Sequence, residues 1–177
     1  MTRRRRVLFW LLVAIVLLFG FVVFRGAPYV PSHRSDVTIA FDELYKVGTR
    51  DVVVDVGSGD GIILRMAAKR GARAVGYELN PALVAISRFL SRGDKKVSVH
   101  LSDFWFAKLP EETTLVYAFA VERDIKKLSD KLQAEADRLG HSFHVISYGS
   151  SMSSPMPTHT LGAHHLYVFH PLQGKKA

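Results

Sequence analysis

Asp55 and Asp60 bracket the glycines of the run Val52-Val53-Val54-Asp55-Val56-Gly57-Ser58-Gly59-Asp60-Gly61, and a third acid, Glu78, follows 21 residues after Gly57. Residues without a Cβ let backbone close on a ligand that any side chain would obstruct. The helix-like segment behind them, Ile62 to Arg70, offers unpaired N–H groups at its start. Together these describe a small-molecule cofactor site. Carboxylates lining the turn suit a ligand that carries hydroxyls and an ammonium, and they repel a pyrophosphate.

The spacing narrows the cofactor. A dinucleotide fingerprint reads G-x-G-x-x-G, its third glycine packing helix against strand. Here the glycines are 57, 59 and 61, giving D-x-G-x-G-x-G, which points away from NAD and toward S-adenosylmethionine. Glu78 ends the next strand-like run, Ala74 to Tyr77, where an acid can accept both hydroxyls of a ribose.

These residues need strands and helices to hold them. The patterning predicts a helix capped by Ser35, with Val37, Ala40, Phe41, Leu44 and Tyr45 along one face and Gly48 at its end. It predicts strands over 51–56, 74–78, 97–101, 114–119 and 143–148. Helices fall at about 60–70, from Pro81 through Leu90, and over about 122–139 with Ile125, Leu128, Leu132, Ala136 and Leu139 inward. A Ser/Pro-rich loop, 149–158, leads to a final hairpin ending in 166–169. The link between strands three and four is too short for the usual helix. Alternating strands and helices imply an α/β, doubly wound, mostly parallel Rossmann-like sheet. Its ligand lies beyond the carboxyl ends of the strands. That edge gathers Asp55, Gly57, Ser58, Gly59, Asp60 and Gly61, then Glu78, Leu79 and Asn80, then Ser102 and Asp103, then Ala120 to Glu122. Asp103 is placed to meet the adenine amino group, with Phe104 or Trp105 beside the ring; a helix cap and core aromatics are the competing assignments.

The chain's ends differ from its middle. Val7 to Phe24 is an unbroken apolar run of 18 residues behind Arg3-Arg4-Arg5-Arg6 and ahead of Arg25. It suits one N-terminal transmembrane helix in contact with the lipid bilayer, its arginines reaching toward the headgroups. A cleaved signal peptide is the alternative, against which stands the want of a small-x-small site. The organisation that follows is a basic cap and anchor over 1–26, a linker and N-terminal helix over 27–50, a cofactor-binding domain over 51–172 and a basic tail over 173–177. Five of the 24 basic residues are Arg3 to Arg6 and Arg25, and Lys175 and Lys176 lie in the tail; the remaining 17 face 16 acids. The near-neutral domain argues against a nucleic-acid partner. The arginines ahead of the run favour sending the domain across the membrane, whereas the cofactor is expected on the inner side; Arg25, Arg34, Lys46 and Arg50 offset that bias. Cysteine is absent, and His159, His164, His165 and His170 match no zinc spacing, so no metal is expected.

Three stretches, Pro28-Tyr29-Val30-Pro31-Ser32, Asp55-Val56-Gly57-Ser58-Gly59-Asp60-Gly61 and Val75-Gly76-Tyr77-Glu78-Leu79-Asn80-Pro81, resemble the small membrane-anchored lysine methyltransferases within the class I methyltransferases. Those include enzymes that modify the ATP synthase c-subunit and the adenine nucleotide translocase, together with bacterial relatives. The resemblance spans about residues 28–148 and thins after Asp103. It implies that Asp55, Gly57, Gly59, Asp60, Glu78 and Asp103 hold S-adenosylmethionine, and that Pro28 to Ser32 form part of a lid and substrate entrance. It also implies transfer of a methyl group to a lysine. Relatives tend to carry a proline near the end of strand four, where this chain has Ala120-Val121-Glu122-Arg123.

A lysine acceptor must be neutral to attack, and burial beside aromatic rings favours that form. Tyr29 and then Tyr148 are the candidate channel residues, and half-buried packing is the competing role for each. Glu122 either orients the amine or begins the following helix, where an acid is favoured. The anchor points to a membrane-embedded acceptor protein, because tethering raises its effective concentration. A non-catalytic cofactor-binding membrane module and a nicotinamide-dependent oxidoreductase are the alternatives.

Overall fold

A computed structural model describes residues 3–10, 13 and 34–172. The chain divides into two compact units, Met1–Val30 and Pro31–Ala177. In the first, residues 3–10 are helical. The expected anchor over 7–24 lies mostly outside the described residues, as do Pro28, Tyr29, Val30, Pro31, Ser32 and the basic tail. Among the described residues, no helix is long and apolar enough to cross a membrane.

The second unit is built on seven strands: β1 (Val52–Val56), β2 (Arg73–Glu78), β3 (Val97–Leu101), β4 (Leu115–Ala120), β5 (Phe143–Gly149), β6 (His159–Leu161) and β7 (His164–Phe169). They form one sheet in the order β3-β2-β1-β4-β5-β7-β6. The pairs β1–β2, β1–β4, β2–β3 and β4–β5 are parallel, while β7 runs antiparallel to both β5 and β6. The strand order reverses between β1 and β4, the place where an open α/β sheet leaves a crevice. β-branched residues dominate β1 because that strand is buried on both faces: Val53 and Val54 are both fully buried.

Helices α1 (Arg34–Ile39), α2 (Ile62–Lys69), α3 (Pro81–Leu90) and α4 (Ile125–Leu139) complete the unit. On one face of the sheet Val53, Ala74, Tyr117 and Ile146 pack with Val37 of α1, Leu64 of α2 and Val84 of α3. On the other, Val54, Val116, Val145 and Tyr167 pack with Leu128, Leu132 and Ala136 of α4. The predicted strands lie within a residue or so of those found, as does the start of α3 at Pro81, where the Asn80 side chain accepts the Ala82 N–H at 2.9 Å.

Two predicted helix ends are corrected. Ser35 caps nothing: it lies inside α1, and its hydroxyl donates to Asp36. The helix also stops before Gly48, passing into a π turn over Ala40–Leu44 with Tyr45 already extended. The physical reason is Asp51, whose carboxylate accepts the Tyr45 hydroxyl at 2.7 Å, the Gly48 N–H at 2.8 Å and the Thr114 hydroxyl at 2.8 Å. That junction holds the amino ends of β1 and β4 and draws the chain out of the helix. Burial and Asp51 together push the Tyr45 phenol up to about 12. The long helix predicted from residue 122 begins as a 3-10 turn, Glu122–Asp124, before α4.

The link from β3 to β4 contains turns and no helix, as its length predicts. Glu135 of α4 holds it in place: its carboxylate accepts the Leu109 N–H at 3.1 Å and is paired with Lys131 and Arg138 at 2.7 and 2.8 Å. Burial alone would raise its pKa, but hydrogen bonds from Lys131 and Arg138 bring it below the usual carboxylate value.

Candidate active site

The carboxyl edge of β1 and β2 brings most of the predicted cofactor residues together. The N–H groups of Gly57 and Ser58 both donate to the Tyr77 carbonyl, at 2.9 and 3.0 Å, which folds the turn over β2. Gly59 N–H then donates to Glu78 Oε2 at 2.8 Å, and Asn80 N–H donates to Glu78 Oε1 at 2.7 Å. One buried carboxylate therefore ties the glycine turn to the loop that starts α3. Each of its oxygens keeps acceptor capacity, because an ionised carboxylate has about four lone-pair sites. The backbone leaving β2 is fixed as well: the Ser102 N–H donates to the Glu78 carbonyl at 3.0 Å, setting Asp103 beside the same edge.

The turn glycines have different duties. Gly57 sits at φ +75°, where a side chain is strained, and no heavy atom lies within 4 Å of where its Cβ would be. Its outer surface is open for a ligand. At Gly61 a Cβ would fall 2.1 Å from the Ser87 Oγ, so that residue lets α2 approach α3.

Asp55 is 4% exposed, with no hydrogen-bond donor on its carboxylate among the described residues. Burial, then the negative charges of Glu78 and Asp60, push its pKa well above the ordinary value. A buried carboxylate in this state favours a cationic ligand group. These carboxylate acceptors fit a ligand with an ammonium and ribose hydroxyls. Asp60 is already engaged: Oδ1 accepts the Ile62 N–H at 3.1 Å, and Oδ2 pairs with Arg65 at 3.3 Å. Leu79 and Asn80 are partly buried. The Asp103 carboxylate accepts the Trp105 N–H at 3.0 Å. Phe104 is buried against Tyr77, while Trp105 is partly exposed with the Lys127 ammonium 4.1 Å from its ring centre.

The carboxyl edge of β4 and β5, with the amino end of antiparallel β7 beside it, has another character. In register across the strands, Phe119 meets Tyr148 and Tyr148 meets His164. The rings of Phe119 and Tyr148 are 6.0 Å apart and those of Tyr148 and His164 4.8 Å. The Tyr117 hydroxyl lies 3.0 Å from His164 Nε2, and burial lowers the imidazole's pKa. Tyr117 is also the β4 partner of Asp55. Tyr148 was legible in the sequence as a channel candidate; Phe119, Tyr117 and His164 were not. Their signal was strand alternation on β4 and β7, which places odd β4 residues and even β7 residues on one face. Glu122 is exposed in the 3-10 turn and does not join this group. Among the described residues, no group of three His, Asp or Glu side chains could hold a metal ion.

A parallel sheet of this order, with an antiparallel β7 between β5 and β6, a glycine turn after β1 and an acid ending β2, defines the class I methyltransferase fold. An RNA methyltransferase from Salinibacter ruber, solved in complex with S-adenosyl-L-homocysteine, superposes with a TM-score of 0.72 at 27% identity over 83% of this chain and 97% of that one. Within the class the chain belongs to the ANTKMT methyltransferase domain family, whose model matches residues 55–159. It is 36% identical over 138 residues to the ATP synthase c-subunit lysine N-methyltransferase of Xenopus laevis, and 42% identical over 112 residues to the adenine nucleotide translocase lysine N-methyltransferase of Mus musculus. These matches cover 76% and 61% of this chain but 58% and 48% of the relatives, so the chain spans about half their length.

Proposed function

We propose that this chain is an S-adenosylmethionine-dependent protein-lysine N-methyltransferase acting on a membrane-associated protein. The observation that carries the cofactor is the doubly anchored Glu78 carboxylate beside the open Gly57 turn. The activities of the Xenopus and mouse relatives support lysine as the acceptor, and their targets, the ATP synthase c-subunit and the adenine nucleotide translocase, support a membrane protein. The apolar run of residues 7–24 behind four arginines supports a membrane tether.

When bound, S-adenosylmethionine supplies a methyl carbon made electrophilic by its sulfonium sulfur. Glu78, oriented by the Gly59 and Asn80 N–H groups, would hold the ribose hydroxyls, and Asp103 the adenine amino group. Asp55 offers buried negative charge to the ligand's cationic end. At the β4–β5–β7 edge, Phe119 and Tyr148 present an aromatic wall that favours the neutral amine over the ammonium. With the methyl donor so held, this chain's own work would be to align the neutral amine with it.

The test uses the full-length chain in nanodiscs, titrated calorimetrically with S-adenosylmethionine beside Glu78→Ala. Saturable binding that weakens sharply in the variant supports the cofactor; its absence in a folded protein overturns it. Tritiated methyl transfer into a membrane fraction, followed by hydrolysis to methyl-lysine, tests the acceptor. Label in RNA, lipid or soluble protein only would overturn the acceptor, and binding without transfer would leave a non-catalytic module.

A further inference from the structure

Helix α3 is apolar on the side that faces solvent. Val84 and Ser87 are buried against the sheet. Ala82, Ala85, Ile86, Phe89 and Leu90 point the other way and are exposed, Ile86 by 46%, Phe89 by 63% and Leu90 by 49%. Apart from Ser87, the only polar side chain after Pro81 in this helix is Arg88, whose guanidinium is turned back to the Val99 carbonyl at 2.7 Å. A helix apolar on both faces is normally covered on both. A contiguous exposed apolar patch of this kind marks an interaction site.

The charges beside the patch select its occupant. Arg92, Lys95 and Lys96 follow the helix and are exposed, and Asp94 is the one acid between Glu78 and Asp103. The Arg92 guanidinium lies 4.1 Å from the Phe89 ring centre, so cation and apolar surface are adjacent. Phenylalanine, leucine and isoleucine beside arginine and lysine is the composition of a helix that lies in a membrane interface, its apolar side chains among acyl chains and its cations at anionic headgroups. The same chain carries the apolar run of residues 7–24. We infer that the outer face of α3, Ile86, Phe89 and Leu90 with Arg92, Lys95 and Lys96, is a second bilayer contact that seats the catalytic domain on an anionic lipid surface. This rests on the membrane tether proposed above and is independent of the methyl acceptor.

The chain has no cysteine, so a single introduced one reports its own site. Full-length Phe89→Cys, Leu90→Cys and the control Lys126→Cys would carry a polarity-sensitive NBD label; Lys126 is 86% exposed on α4, across the sheet. Each protein is reconstituted into phosphatidylcholine vesicles with or without phosphatidylserine and with or without doxyl-labelled lipid. At positions 89 and 90 the expected result is an emission shift of roughly 10 nm to the blue and about twofold quenching by doxyl lipid, larger with phosphatidylserine, with neither change at 126. Adding Arg92→Glu, Lys95→Glu and Lys96→Glu to Phe89→Cys should abolish the phosphatidylserine dependence. Vesicle flotation with no quenching at 89 or 90 overturns the α3 contact alone; failure to float overturns the tether and the contact together. A blue shift that doxyl lipid does not quench and that grows with protein concentration assigns the face to a second copy or to another protein and overturns the lipid assignment.

Discussion

The two halves of the carboxyl edge are built from different materials. Over β1 and β2, position is set by backbone: glycines at positive φ, N–H groups aimed at one carbonyl, and a carboxylate held at both oxygens. Over β4, β5 and β7, position is set by side chains, with the tilted rings of Phe119, Tyr148 and His164 side by side in register and the Tyr117 hydroxyl against His164. Backbone geometry tolerates few substitutions, whereas a wall of rings can change its members and keep its shape. The first half therefore suits an invariant cofactor and the second an acceptor that differs among related proteins.

Breaking the first half should have the largest effect. Glu78→Ala removes the proposed acceptor of the ribose hydroxyls together with the partner of the Gly59 and Asn80 N–H groups, read as roughly a 100-fold weaker Kd for S-adenosylmethionine by calorimetry, about 3 kcal/mol. Gly76→Ala comes next. Its Cβ would lie 2.6 Å from Leu64 Cδ1 and from Ser58 Oγ, and overpacking of this order costs about 1–3 kcal/mol in urea unfolding. Tyr117→Phe, in the second half, should cost about 1 kcal/mol by leaving the buried His164 Nε2 without its hydroxyl, while the Kd for S-adenosylmethionine stays unchanged. A matching loss of cofactor affinity would erase the distinction between the halves.

Two smaller effects sharpen the comparison through charge. The His164 pKa is lowered in the fold, so the native state binds fewer protons than the unfolded chain. The resulting stability is present above about pH 6.5 and is lost as pH falls through the lower native value; His164→Gln should flatten that part of the melting-temperature profile relative to the parent. Asp55 shifts the opposite way, since a raised carboxylate pKa makes its ionised form costly in the unliganded fold. Asp55→Asn should accordingly raise the melting temperature at neutral pH while weakening cofactor binding. A lower melting temperature would mean that the carboxylate supports the fold.

The first half was also the more legible one. Val52 to Gly61 announces strand, turn and helix through residue types that few other arrangements use, and Glu78 follows at a distance set by one helix and one strand. What could not be read was the way Glu78 is used, because hydrogen bonds from Gly59 and Asn80 join residues 19 and 2 positions away from it. Asp60 looked equivalent to Asp55, yet Arg65, one turn into α2, engages it. The second half was nearly silent. Tyr117 and His164 are 47 residues apart and meet only because β7 enters between β5 and β6. Ser35 misleads because its side chain is of a type that caps helices, yet it lies inside α1 with its hydroxyl on Asp36; Gly48 misleads because Asp51 draws the chain out of the helix before it.

That late insertion of β7 also orders assembly. β6 has no neighbour in the sheet except β7, so residues 159–161 gain no ladder until 164–169 have been made. During synthesis on the ribosome, β5 emerges first and presents an open edge of apolar residues to whatever strand comes near it. Such an edge pairs readily with other chains, and long-range pairing is slow to close it. The β5 edge stays unpaired until residues 164–169 have been made and laid against it.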